Sequence, residues 1–146
     1  QMSGLAVMYD TDNYLYLHIT HDEEVGKCIT LLKAENRVYE YLTPYIPLCT
    51  DESVSLMVSA DNFYLTFSYR VGKGDPVVIK SSLDGSFMSD EACFDGWFTG
   101  SMIAICCQDL TGRGLHSDVS SFRYENLKNA YKNKKIRYFF HNNTSN

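Results

Sequence analysis

No stretch of this chain holds the run of about 18 apolar residues that a membrane-spanning helix needs, and no N-terminal signal peptide is visible. The visible chain is therefore read as neither targeted nor membrane-spanning, and a cytoplasmic location is expected. It starts at Gln1 rather than Met, as a fragment with its N-terminus elsewhere would. The five cysteines, Cys28, Cys49, Cys93, Cys106 and Cys107, are odd in number and include no CxxC pair, which argues against a disulfide framework or a zinc site. Cys106 and Cys107 are neighbours, so in a strand they point to opposite faces and read as small buried apolar residues. Basic residues are scarce in the body of the chain. Residues 1–125 hold 8 Lys and Arg against 18 Asp and Glu, net −10, whereas residues 126–146 hold 5 basic residues and no acidic one, net +5. Such a body repels nucleic acid, and neither a nucleic-acid nor a membrane partner is expected. Also missing are helical i, i+3, i+4 spacing before the tail, a Ser-His-Asp order and a phosphate-binding glycine loop.

What is present is strand chemistry. The 146 residues suffice for one two-layer domain, and aromatics make up 14% of them, with 11 tyrosines, a bias that suits sheets and stacking surfaces. Leu5 to Tyr9 alternates as a first strand, and Asp10-Thr11-Asp12-Asn13 supplies turn chemistry. Tyr14 to Thr20 alternates cleanly: Leu15, Leu17 and Ile19 belong to the core, and Tyr14, Tyr16 and His18 to an outer or groove-facing surface. Further strands are expected at Cys28–Lys33 and Arg37–Leu42. Pro44 and Pro47 bracket a loop, Val54–Ala60 and Phe63–Tyr69 form a hairpin about Asp61-Asn62, and Val77–Lys80 follows the Gly72–Pro76 turn.

The stretch from Trp97 to Arg113 organises the rest. Its apolar run, Met102 to Cys107, reads as a strand buried on both faces and held between two tight loops, one of which carries the aromatic cluster Phe94, Trp97 and Phe98. Ser117–Tyr124 is a last strand with Val119 and Phe122 inward. Strands at short intervals separated by turn signals indicate an antiparallel β-sandwich. The tail, 126–146, reads as a flexible basic extension or a short helix around residues 127–135.

Few residues invite metal chemistry. His18 and His21 are three apart in a strand and face opposite ways, which disfavours a shared ion. Asp10, Asp12 and Asn13 resemble the start of a calcium loop but lack its glycine and distant glutamate. No cofactor is expected, with a structural calcium on loop oxygens as the one candidate. An aromatic face stacks on the C–H surface of a pyranose ring, so Phe94, Trp97 and Phe98 are candidate sugar contacts, with Tyr14, Tyr16 and His18 as a second platform. The alternative is structural, with Phe98 in the core and Trp97 covering the sandwich mouth. His116 is expected to cap or pack a turn, and Arg113 to join an interface ion pair.

Several segments resemble the C-terminal concanavalin A-like module of glycoside hydrolase family 43 β-xylosidases. They are residues 3–10 (SGLAVMYD), 13–17 (NYLYL), Ser89-Asp90-Glu91, Phe98-Thr99-Gly100, 107–113 (CQDLTGR) and 118–124 (DVSSFRY), together spanning residues 3–125. The resemblance implies a concanavalin A-like jelly roll at 1–125, lacking its first strands, with 126–146 outside the match. Unpaired sheet edges of that kind predict marginal stability or dimerisation. It also implies a module of a xylan-degrading enzyme, of β-xylosidase or α-L-arabinofuranosidase type, that braces a catalytic β-propeller lying elsewhere and places an aromatic of the Trp97-Phe98 pair in the wall of that propeller's pocket for xylo-oligosaccharides. Independent catalysis is not expected, because hydrolysis needs two opposed carboxyl groups and the acids here, Asp10, Asp12, Asp22, Glu23, Glu24, Asp90, Glu91, Asp109 and Asp118, fall nearly all in turns or loops. Two other roles are kept in view: a free-standing carbohydrate-binding module using Tyr14, Tyr16 and His18, and a purely structural or oligomer-forming sandwich. The Gly72–Pro76 turn lacks the aromatic often found there in the family, and Ser101 stands where alanine is common.

Overall fold

The computed structural model describes residues 1–93, 100–114, 116–127 and 135–143, with side chains through Glu125. Among the described residues there are eleven strands and no helix. In chain order they are β1 (Met2–Met8), β2 (Tyr14–Asp22), β3 (Gly26–Glu35), β4 (Val38–Tyr41), β5 (Ile46–Pro47), β6 (Val54–Asp61), β7 (Tyr64–Val71), β8 (Val77–Asp84), β9 (Met102–Gln108), β10 (Asp118–Leu127) and β11 (Lys135–Asn143). They form two antiparallel sheets. The first has the order β4-β3-β2-β1-β9, with β5 also paired to β3; the second has the order β10-β11-β6-β7-β8. The chain divides into two compact units, residues 1–49 with 86–116 and residues 50–85 with 117–146, so each unit is built on one sheet.

In the first unit the alternation read from the sequence sets the faces. Leu5 lies opposite Leu17 on one side and Ile105 on the other, and Leu17 lies opposite Leu31. Leu5, Leu15, Leu17, Ile29 and Leu31 are fully buried. Each such side chain removed from water contributes about 1.5–3 kcal/mol. Gly4 sits between His18 on β2 and Cys106 on β9. A Cβ there would lie 2.0 Å from the Leu17 carbonyl oxygen and 2.6 Å from the His18 Cα, so only glycine admits this approach of β1 to β2.

The second unit centres on the β6–β7 hairpin, with Asp61 opposite Tyr64 and Asn62 in the left-handed region at φ 55°. Asparagine tolerates that conformation, which closes a two-residue loop. Val54, Leu56, Val58 and Phe67 are its buried centre.

Three expectations are corrected. The apolar run at β9 is not buried on both faces: β9 is an edge strand of the first sheet, with Met102 and Ile105 exposed (Ile105 43%). Val119 and Phe122 of β10, expected inward, are exposed, since β10 is also an edge and its register shifts between Val119 and Ser121. Part of the tail, read as flexible or helical, forms β11, which pairs with β6 and β10 in the interior of the second sheet.

Candidate functional site

One end of the first sheet is fastened turn to turn. The Asp10 carboxylate accepts the amides of Asp12 (2.8 Å) and Asn13 (2.7 Å) at Oδ1, and the Asn13 Nδ2 donates to both of its oxygens at 3.1 and 3.2 Å. Asn13 Oδ1 in turn accepts the Asn36 amide at 3.0 Å, and Arg37 Nε donates to Asp12 Oδ2 at 2.7 Å. These bonds hold the β3–β4 turn, whose Asn36 and Arg37 both sit at left-handed φ (48° and 68°), against the β1–β2 turn. Two consecutive left-handed residues give the turn that matches the twist of a tight hairpin.

The segment of residues 86–93 is fastened at the same end. The Tyr9 hydroxyl, on a buried ring, donates to Asp90 Oδ1 at 2.5 Å. The amides of Ala92 and Cys93 both donate to the Ser89 carbonyl, and the Cys93 thiol donates to the Phe87 carbonyl. Ser101 Oγ donates to the Met88 carbonyl at 2.8 Å, joining the 86–93 segment to the residue before β9, and the Lys33 ammonium lies 4.7 Å from the centre of the Phe87 ring. Gly100, at φ 67°, leads into β9. Phe94, Trp97 and Phe98 lie outside the described residues.

The second candidate platform falls on one face of the first sheet, as the alternation of β2 required. There Tyr14, Tyr16 and His18 are aligned with Ala34, Leu32 and Thr30 of β3, and Ala34 and Leu32 with Tyr39 and Tyr41 of β4. Tyr16 and His18 are buried and stack at 4.6 Å between ring centres; His18 lies 6.5 Å from Tyr41, which meets Tyr45 edge-on at 5.7 Å. The Tyr16 hydroxyl donates to the Cys106 carbonyl two strands away, across β1 where the residues on this face between them are the small Gly4 and Ala6. Burial holds the Tyr16 phenol far above its ordinary range, and also keeps the His18 imidazole below its usual value, against the opposing effect of its bond to the Tyr16 carbonyl. That bond, 3.1 Å from Nδ1, makes Nδ1 the protonated nitrogen, because a carbonyl only accepts. His18 Nε2 is left as a buried acceptor without a partner.

The rings open to solvent on this face are Tyr39, Tyr41 and Tyr45, which sequence reasoning did not select. The signal was there for the first two, since Val38-Tyr39-Glu40-Tyr41 alternates beside a strand already assigned. Tyr45 was hidden in the proline-bracketed loop.

Of the remaining candidates, Asp22 ends β2 on the tyrosine face, toward Tyr45, and the others sit apart from both places. His21 is exposed while His18 is buried, and the Asp22 carboxylate accepts the amides of Val25 and Glu24, which hold it below the ordinary carboxylate range. His116 contributes its carbonyl to Gln1 Nε2. Asp109 accepts the amide and hydroxyl of Thr111 and the amide of Gly114. Among the described residues no group of three His, Cys, Asp or Glu is arranged to hold a metal ion.

Known proteins resemble this chain along most of its length. The family model described as the beta xylosidase C-terminal concanavalin A-like domain matches residues 1–125. A beta-xylosidase of Bacillus subtilis (strain 168) is 30% identical over 128 residues, which cover 86% of this chain and 24% of that protein. The crystal structure of a xylan beta-1,4-xylosidase from Bacillus halodurans C-125 superposes with a TM-score of 0.70 at 25% identity, covering 96% of this chain and 24% of that one. A GH43 protein of Bacillus licheniformis shares the fold, with a TM-score of 0.65 at 19% identity, covering 97% of this chain and 24% of that one. The chain thus spans about a quarter of the length of the relatives it matches.

Proposed function

This chain belongs to the family of β-xylosidase C-terminal concanavalin A-like domains, a family of all-β sandwiches, and from that premise we propose that it is the accessory module of a xylan-degrading glycoside hydrolase. In this role it braces a separate catalytic β-propeller and contributes Trp97 or Phe98 to the wall of the pocket that takes short xylo-oligosaccharides. The observation that carries the proposal is the fastening of residues 87–93 and Ser101 to the end of the first sheet, led by the Tyr9–Asp90 hydrogen bond. A loop that presents an aromatic side chain to another domain needs its base held by a rigid element, because a displacement of about 1 Å at a reacting site can cost a hundredfold in rate.

The module itself supplies no hydrolytic chemistry in this reading. Hydrolysis of a glycoside needs two carboxyl groups facing each other at about 5–9.5 Å, one of them with a raised pKa. Asp10, Asp12, Asp22, Asp90 and Asp109 are each engaged with amides, a guanidinium or hydroxyls. Glu35 is paired with Lys33 in the shallow depression it shares with Asn36, Val38 and Glu40.

A chimera tests the proposal. This chain replaces the corresponding quarter of the Bacillus subtilis β-xylosidase, and hydrolysis of xylobiose is measured for the chimera and for its Trp97→Ala and Phe98→Ala variants. The expected result is an active chimera whose kcat/KM falls by about tenfold or more in at least one variant, the scale of one lost substrate contact of about 1.4 kcal/mol. Unchanged kinetics in both variants would leave scaffolding alone.

A further inference from the structure

We propose that the tyrosine-lined face of the first sheet binds a neutral sugar chain, with Tyr41 and Tyr45 as its principal contacts. The identity of the sugar as a xylo-oligosaccharide rests on the proposed function; the face itself does not.

The first ground is charge. Five aligned rows cross this face. They are Asp22-Gly26, Gln108-Met2-Thr20-Cys28, Cys106-Gly4-His18-Thr30, Ala104-Ala6-Tyr16-Leu32-Tyr41 and Met102-Met8-Tyr14-Ala34-Tyr39. None of these positions holds Lys or Arg, and Asp22, at the end of β2 toward Tyr45, is their one acid. The opposite face of the same strands carries Lys33, Glu35 and Glu40. A face without cations does not attract phosphate or nucleic acid, and a single carboxylate beside two tyrosines is a hydrogen-bond acceptor for a sugar hydroxyl.

The second ground is composition. Tyr39, Tyr41 and Tyr45 stand 59%, 52% and 37% exposed. Tyr41 and Tyr45 meet edge to face at 5.7 Å between ring centres, so one ring is braced by the other. A pyranose ring needs an aromatic surface for its C–H face and hydroxyls for its rim, and two braced tyrosines supply both with little side-chain freedom left to lose.

The third ground is an unmet acceptor. In the row next to that of Tyr41, His18 is completely buried and its Nε2 has no hydrogen-bond partner. Buried polar atoms of this kind are rare because each costs free energy until a donor arrives. A hydroxyl is a donor of the right kind, and it reaches the sealed Nε2 when the side chains over His18 shift aside.

The experiment uses the full 146-residue chain and xylohexaose, followed by titration calorimetry and by the imidazole nitrogen resonances of His18. The expected result is saturable binding that Tyr41→Ala weakens about tenfold and Tyr45→Ala by a smaller factor, while Tyr64→Ala, an exposed tyrosine of the second sheet, leaves it unchanged. The Nε2 resonance of His18 moves on saturation. Both tyrosines are partly exposed, so the variants keep the sheet, which circular dichroism verifies. Absence of binding, or binding that survives both tyrosine variants, overturns the proposal without touching the chimera result. Binding lost in Trp97→Ala and kept in Tyr41→Ala also overturns it, and moves the sugar to the loop.

Discussion

The Tyr9 hydroxyl donates a 2.5 Å hydrogen bond to Oδ1 of Asp90, 81 positions further along the chain. It is a charge-assisted bond from a buried ring to the segment that precedes Phe94. Tyr9→Phe keeps the ring and removes the donor, so it isolates this bond. Urea denaturation should show a loss of about 1–2 kcal/mol with an unchanged m value, as for a hydrogen bond to a charged acceptor that is partly open to water. An unaltered midpoint would mean that Asp90 is held by something else.

His18 makes stability depend on pH in one direction. Burial sets its folded pKa below the ordinary value near 6.5, so the unfolded chain takes up the proton first as pH falls. The contribution is complete above the ordinary value and is drained as pH drops through it toward the folded value. The urea midpoint should fall between pH 7 and pH 5, and the His18 ring protons should titrate below the value of a free imidazole. A His18 titration at or above the free value would contradict the burial of Nε2.

Much of the first unit, and the central hairpin of the second, was legible because the signals are local. The alternation of Leu15, Leu17 and Ile19 with Tyr14, Tyr16 and His18 placed the two sets on opposite faces of β2, and Asp61-Asn62 marked the β6–β7 hairpin. What failed was whatever depends on strand order. Met102 to Cys107 is as apolar as a strand covered on both faces, and only the position of β9 at the sheet edge leaves Met102 and Ile105 in solvent. The Asn- and Lys-rich composition of the tail concealed β11, although the tail carries the aromatic run Tyr138-Phe139-Phe140; in the sheet these three lie opposite Val58, Met57 and Leu56. At the tyrosine face, sequence gave orientation but not depth. Tyr16 and His18 sit under neighbouring rings, and the open rings come from β4 and the following loop, which only register and pairing bring alongside.

Gly4 is a steric requirement. The Cβ of Gly4→Ala would meet backbone atoms of Leu17 and His18, which cannot rotate away as a side chain would. Either β1 separates from β2 or the row from Cys106 to Thr30 distorts, and the Tyr16 hydroxyl loses its line to the Cys106 carbonyl. The expected cost is about 3 kcal/mol or more, at the upper end for overpacking. A variant with wild-type stability would show that the two strands can part freely.

The free edge of β9 should make the isolated chain self-associate. Among the described residues it pairs with β1 alone, and Ile105 is 43% exposed on it. Edge strands with apolar side chains and no charge are templates for pairing, and natural proteins protect them with lysine. Light scattering should show association that rises with concentration and that Ile105→Lys reduces. The substitution sits at an edge, so the fold should survive it. Equal association in both proteins would assign the contact to another surface, with the exposed Phe122 and Tyr124 of β10 next to be tested.

The thiols provide an independent measure of which parts of the chain are closed. Cys49 and Cys107 are exposed, Cys28 and Cys93 are buried, and Cys106 is intermediate, all five as free thiols. Burial raises the pKa of Cys28, Cys93 and Cys106, which lowers their thiolate fraction as well as their access. A disulfide reagent at pH 8 should therefore modify Cys49 and Cys107 first, Cys106 more slowly, and Cys28 and Cys93 only as fast as the chain opens. If Cys28 reacts with Cys49, the β2–β3 pair is open in solution, since Cys28 lies opposite Thr20 and its thiol donates to the Thr20 carbonyl. If Cys93 alone among the buried thiols reacts early, the Ser89–Cys93 turn comes away while the sheet stays closed, and the Tyr9–Asp90 bond is not enough to hold the base of the loop.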